Sequence, residues 1–267
     1  MQSYTRLSSV DDDLCLKLLT ESYLFLSESY GEIQQAYKEY LIEKGSPYLK
    51  SINLNTEQIR CLHSAYKSSS KKFKLGWIDC IREQHIGSCP MCGSSDVGTV
   101  EHYLPKTPFP EFSIFSFNLL PSCSICNSKR GSKHDNNVKS QLLHPIFDSE
   151  ILNKLELKTF FDVSSRVIDF ELGFNNRDFN VNEQFRIAEH ISMCVDRRAY
   201  RRATLNYRAI ASENAKGNTE EIYIEFFKKE LEVLKRASIG HGWQAAFIRG
   251  LIDTDSDTRR QVLNYDI

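Results

Sequence analysis

Two stretches decide how the chain is read: Cys89-Pro90-Met91-Cys92-Gly93 and Cys123-Ser124-Ile125-Cys126-Asn127. Each CxxC pair puts two thiolates on one tight turn, at the separation that two ligands of a tetrahedral zinc need. Two such turns complete a closed four-Cys site, Cys89, Cys92, Cys123 and Cys126. Gly93 fits a zinc-knuckle turn, which favours a residue tolerant of positive φ. Free thiols or a redox pair are the alternatives. A closed four-Cys site leaves no position for water, so its Zn²⁺ is structural rather than catalytic. The other cysteines, Cys15, Cys61, Cys80 and Cys194, stand singly on expected helices and read as core packing.

Around these turns, residues 86–148 are rich in Gly, Pro, Ser, Cys and Asn. A compact domain seldom holds so long an irregular stretch unless it is functional or metal-organised. On the N-terminal side, Asp11, Asp12 and Asp13 precede an apolar helix over 14–26. A second helix, 31–43, carries Ile33, Tyr37, Tyr40 and Leu41 on one side, and Gly45-Ser46-Pro47 ends it. Asn55-Thr56-Glu57-Gln58 resembles a capping box before a helix to about 67. Phe73, Trp77, Cys80 and Ile81 are spaced for one more. On the C-terminal side, 155–172 reads as two short strands. Helices are expected over 181–215, 219–237 and 245–252. The organisation expected is an N-terminal helical region, 1–85; a cysteine-built module, 86–148; and a C-terminal region of short strands, then helices, 149–267. The fold class is mainly α with a small α+β insert.

Composition excludes several classes. The 267 residues are 41% hydrophobic and 26% charged, values of an ordinary globular protein and not of a disordered or collagenous one. Eight cysteines are far too sparse for a disulfide scaffold. The start lacks a secretory signal pattern, and no apolar run is long enough to span a membrane, so a cytoplasmic location without membrane contact is expected. Net charge is −1, which by itself does not suggest a nucleic-acid binder.

Between the cysteine pairs runs Glu101-His102-Tyr103-Leu104-Pro105-Lys106, then Phe109-Pro110-Glu111-Phe112, then Phe117-Asn118-Leu119-Leu120-Pro121. Adjacent residues on a strand face opposite ways, so Glu101 and His102 can work from different angles. The pattern Glu-His-x-x-Pro, then Asn-Leu-x-Pro-x-Cys-x-x-Cys-Asn-x-x-Lys, resembles the HNH endonuclease family in its zinc-stabilised form. Over residues 86–148 it is similar to the HNH nuclease subunits of Septu-type and retron-associated anti-phage systems. The resemblance implies a ββα-metal module flanked by helical regions. It implies His102 as general base, with Glu101 and Asn127 holding a catalytic Mg²⁺ or Mn²⁺ through oxygen, a donor that suits hard cations. It further implies that Asn118 braces the loop and orients His102. His144, in a His-Pro-x-aromatic-Asp stretch, is an additional candidate, with turn packing as its other reading. Many HNH enzymes carry Asp where this chain has Glu101.

The implied partners are an ABC-type ATPase of the same system and, for the retron-associated form, a reverse transcriptase with its RNA–DNA hybrid. DNA is the expected substrate, with structured RNA such as tRNA as the alternative. Lys106, Lys129, Arg130 and Lys133 are candidates for phosphate contact, which needs local basic clusters rather than a basic pI. Two further basic clusters lie at 67–82 and 186–208, each read either as a phosphate surface or as a solvated helix face. Other function classes remain: a non-catalytic zinc-ribbon binding module, or a subunit that assembles a complex through its helical flanks.

Overall fold

The computed structural model describes residues 3–83, 88–94, 97–130, 142–195, 197–237 and 241–264. They are mainly helical, with two small antiparallel sheets. The N-terminal helices are α1 (Asp12–Ser22), α2 (Leu24–Ser27), α3 (Tyr30–Ile42), α4 (Thr56–Ser68) and α5 (Trp77–Glu83). The side chain of Asp11 caps α1 by accepting from Leu14 N, and Asp12 and Asp13 fill its first turn. Tyr23 breaks the expected 14–26 helix in two. Asn55 and Gln58 close the capping box of α4 in both directions. Phe73 lies on a separate 3-10 turn, Lys71–Phe73, so the expected helix through it begins only at Trp77. Leu41 is exposed, whereas Ile33, Tyr37 and Tyr40 are buried. Cys80 is also exposed and Cys61 only half-buried, which corrects the core-packing reading for Cys80; Cys15 and Cys194 are buried.

Strands β1 (Thr99–His102) and β2 (Leu119–Ser122) pair antiparallel, with Glu101 opposite Leu120 and His102 opposite Leu119. Helix α6 (Ser124–Arg130) follows β2 directly and packs against β1. A short α7 (Ser149–Asn153) leads to the hairpin β3 (Glu156–Asp162) and β4 (Val167–Gly173). The alternation in β4 buries Ile168, Phe170 and Leu172 on one face. Next come α8 (Val181–Cys194), α9 (Arg197–Ala215), α10 (Glu220–Arg236), α11 (Trp243–Asp253) and α12 (Ser256–Leu263). The expected single helix over 181–215 is therefore two, since α8 ends at Cys194 and Val195 is extended. The terminal α12 has no counterpart in the sequence reading. Its start is capped by Asp255, whose side chain accepts from Thr258 N.

Buried apolar residues form two clusters. One joins α1–α5 to the segment that carries the cysteine turns and β1–β2; the other joins β3–β4 to the C-terminal helices. Among the described residues no helix is long and apolar enough to cross a membrane.

Candidate metal centre and the site on strand β1

The four sulfurs of Cys89, Cys92, Cys123 and Cys126 lie within 4.8 Å of one another, and all four residues are buried. Cys92 Sγ and Cys123 Sγ are 3.6 Å apart. Ligands held at about 2.3 Å in a tetrahedron have edges of about 3.8 Å, so this spacing fits zinc. Backbone amides point at the sulfurs: Ser94 N to Cys92 Sγ, Cys123 N to Cys89 Sγ and Cys126 N to Cys123 Sγ, each at 3.4 Å. Such donors favour thiolate over thiol. Burial pushes the Cys89 thiol up, but hydrogen bonds from the neighbouring cysteines and the Cys123 amide hold it well below the ordinary range. Gly93 adopts φ +81°, the left-handed conformation expected of it. The four-Cys cluster can therefore hold a zinc ion.

Two helices far along the chain hold the first turn from behind. His190 of α8 donates from Nε2 to Met91 O at 2.7 Å, and the Tyr200 hydroxyl of α9 donates to Cys92 O. Neither residue stood out in the sequence, because its partner is a backbone carbonyl about a hundred residues away and no spacing encodes that.

Zinc turn and strand are continuous: β2 ends at Ser122, and Cys123 accepts the first helical bond of α6 from Asn127 N at 3.0 Å. Asn127 thus sits within α6, not at its cap, and is half-buried. Glu101 and His102 occupy the last two positions of β1 and are 6% and 8% exposed. His102 Nε2 donates to Ser113 O at 3.1 Å. A carbonyl only accepts, so the proton sits on Nε2 and the lone pair on Nδ1. Burial, aided by the charges of Lys106, His63 and Arg82, lowers the His102 imidazole from its usual range to about 3. It is neutral at physiological pH and less basic than an unperturbed imidazole.

Asn118 is fully buried and ties together the loop between the strands. Its Oδ1 accepts from Leu104 N at 2.7 Å, and its Nδ2 donates to Leu104 O at 3.0 Å and to Phe112 O at 3.3 Å. Tyr40 of α3 donates its hydroxyl to Asn118 Oδ1 at 3.0 Å. These bonds reach His102 one residue away, through the carbonyl of Ser113 that follows Phe112. Truncating Asn118 to Ala strands four buried partners at about 1–3 kcal/mol each before relaxation. We expect Asn118→Ala to lose about 3 kcal/mol or more, read as a fall in the urea midpoint at unchanged slope. Asn118→Asp keeps the acceptor oxygen but sets a second oxygen against Leu104 O and Phe112 O, so it too should destabilise.

His144 is also fully buried. Its Nδ1 accepts from Ile146 N at 3.1 Å, so Nε2 carries the proton and faces the Tyr40 hydroxyl at 3.2 Å. A directed chain results, from His144 to Tyr40 to Asn118. Asp148 accepts from His144 N at 2.7 Å and forms a two-pronged ion pair with Arg186 of α8. Gly45, at φ +71°, closes over this chain; a Cβ there would lie 2.9 Å from the Tyr40 hydroxyl oxygen.

The basic candidates separate. Lys106 follows β1 and Lys129 lies on α6, both half-buried; Arg130 is the last residue of α6, and Lys133 lies outside the described residues. The 186–208 cluster is not a free basic face. Arg186 is held by Asp148, Arg197 and Arg201 pair with Asp169, and Arg208 is buried and donates to Val262 O.

No protein-family profile matches the chain, and no solved structure matches it. A segment of 67 residues, 24% of the chain, is 39% identical to protein ea31 of Escherichia phage lambda and spans 22% of that protein. A segment of 61 residues is 39% identical to the Septu protein PtuB of Bacillus thuringiensis and spans 23% of each chain. The chain thus covers less than a quarter of the length of either relative, and what it shares with them is partial similarity.

Proposed function

We propose that β1, β2 and α6 form a ββα-metal module of the HNH type and that the chain is a metal-dependent nuclease. The observation that carries this reading is the adjacent, buried pair Glu101 and His102 at the end of β1. His102 is fixed as the Nε2–H tautomer, and α6, which bears Asn127, packs on the same strand.

Glu101 and Asn127 offer the oxygen donors that a hard divalent cation requires, and they are the residues that would hold Mg²⁺ or Mn²⁺. When bound, that ion would stabilise charge on the scissile phosphate and the leaving oxygen. His102 Nδ1 takes a proton from the attacking water. The bond from Nε2 to Ser113 O keeps the ring oriented and supports the imidazolium as it forms. A phosphodiester anion drawn up beside His102 raises its proton affinity, offsetting the effect of burial. Asn118 holds the loop that carries Ser113, and the four-Cys turn fixes the end of β2 and the start of α6.

The partial similarity to Septu PtuB supports a role in anti-phage defence, and the resemblance of residues 86–148 to HNH subunits of such systems implies an ABC-type ATPase as partner. The cations near His102 support a nucleic-acid phosphodiester as substrate, DNA first and structured RNA second. Mn²⁺ binding followed by electron paramagnetic resonance tests the metal assignment. Wild-type protein should bind Mn²⁺ in addition to zinc, and Glu101→Gln/Asn127→Ala protein should lose the Mn²⁺ and keep the zinc. Equal Mn²⁺ binding in the double variant would refute the ligand set.

A further inference from the structure

The ring of Tyr66, on α4, lies edge-on to His102 with centroids 4.4 Å apart. Its hydroxyl donates to Val100 O at 3.3 Å and so ties α4 to strand β1. Two cations sit over the same ring: Lys106 Nζ at 5.1 Å and Arg82 Cζ, from α5, at 5.2 Å from the centroid. The negative face of an aromatic ring attracts cations and fixes their position without neutralising them. His63, also on α4, donates from Nε2 to Lys106 O at 3.1 Å and fixes the backbone of that lysine.

The charge balance of this cluster is uneven. Arg82 is paired with Asp79 at 2.5 Å and also donates to Ser69 Oγ at 3.0 Å, both through Nη1, and its side chain is 30% exposed. Lys106 makes no ion pair among the described residues. Positive charge is thus held over the ring that lies against the buried His102. An anion at the same place would pair with that charge.

We infer that Tyr66, Lys106 and Arg82 form a grip for a backbone phosphate next to the one attacked at His102, with helices α4 and α5 supplying two of the three residues. The inference rests on the nuclease reading and deepens it, because these helices lie outside the stretch that resembles HNH enzymes. Phosphate is shared by DNA and RNA, so the grip serves either. Tyr66 acts as a positioning residue: it seats the two cations and braces His102.

The test measures binding of the full chain, without added divalent cation, to a labelled DNA duplex and to an RNA duplex of the same sequence over a range of salt. Lys106→Gln should weaken binding roughly tenfold at low salt and reduce the slope of log K against log salt by about one, on both probes. Lys106→Arg should restore both, and Tyr66→Leu should lose more than Tyr66→Phe. Wild-type affinity and slope in Lys106→Gln and Tyr66→Leu would overturn the grip while leaving the nuclease reading intact. An effect confined to RNA would overturn the phosphate assignment. Failure of the wild-type chain to bind either probe would overturn both.

Discussion

Cys89→Ser protein is expected to lose its zinc and, with it, the structure of the segment from the first cysteine turn to α6. Four buried thiolates within 4.8 Å of one another would repel one another without a cation between them, and one zinc ion satisfies all four. Structural zinc contributes about 10–16 kcal/mol in small zinc-folded peptides. That matches or exceeds the whole stability of an ordinary domain, about 5–15 kcal/mol. The loss should spread beyond the turn. His190 and Tyr200 donate to Met91 O and Cys92 O, so α8 and α9 lose a buried contact when the turn opens. Metal analysis should find zinc in the wild type and none in the variant, with amide exchange accelerated in β1, β2 and α6. A variant that keeps its zinc and its exchange protection would refute the four-Cys site.

His102→Ala should leave the zinc in place and slow cutting by at least about a hundredfold. General-base catalysis by one positioned side chain is worth about 10²–10⁴ in rate. The substitution also removes the bond to Ser113 O and the edge contact with Tyr66, so a loss of about 1–3 kcal/mol in stability should accompany it. The two effects separate experimentally. A variant that melts a few degrees lower but is still folded at assay temperature, and is slower by at least about a hundredfold, has lost chemistry rather than fold. Asn118→Asp is the useful contrast. It disturbs the same loop without touching the imidazole, so its rate should fall less than that of His102→Ala.

Much of this was legible in local sequence. The two CxxC turns, the positive φ of Gly93, the capping box of Asn55 and Gln58, and the two short strands within 155–172 are all short-range features, encoded by residues within a few positions of one another. The breaks at Tyr23 and Val195 were not legible, because the apolar pattern runs through them and only packing decides where a helix stops. The surroundings of the site were least legible. Tyr40, Tyr66, His63, His190 and Tyr200 meet the module from helices distant in the chain, most of them through backbone carbonyls that carry no sequence signature. The arginines of 186–208 illustrate the converse: they look like a basic face in sequence, yet Asp148, Asp169 and the carbonyl of Val262 engage four of them.

The most direct measurement is the initial rate of phosphodiester cleavage on DNA and on structured RNA, with and without Mg²⁺ or Mn²⁺, for wild-type and His102→Ala chains side by side, each alone and with an ABC-type ATPase partner. The account predicts metal-dependent cutting by the wild type that His102→Ala slows at least about a hundredfold under every condition. A zinc-loaded, folded wild-type chain that cuts neither nucleic acid, or a His102→Ala chain that cuts as fast as wild type, would contradict it.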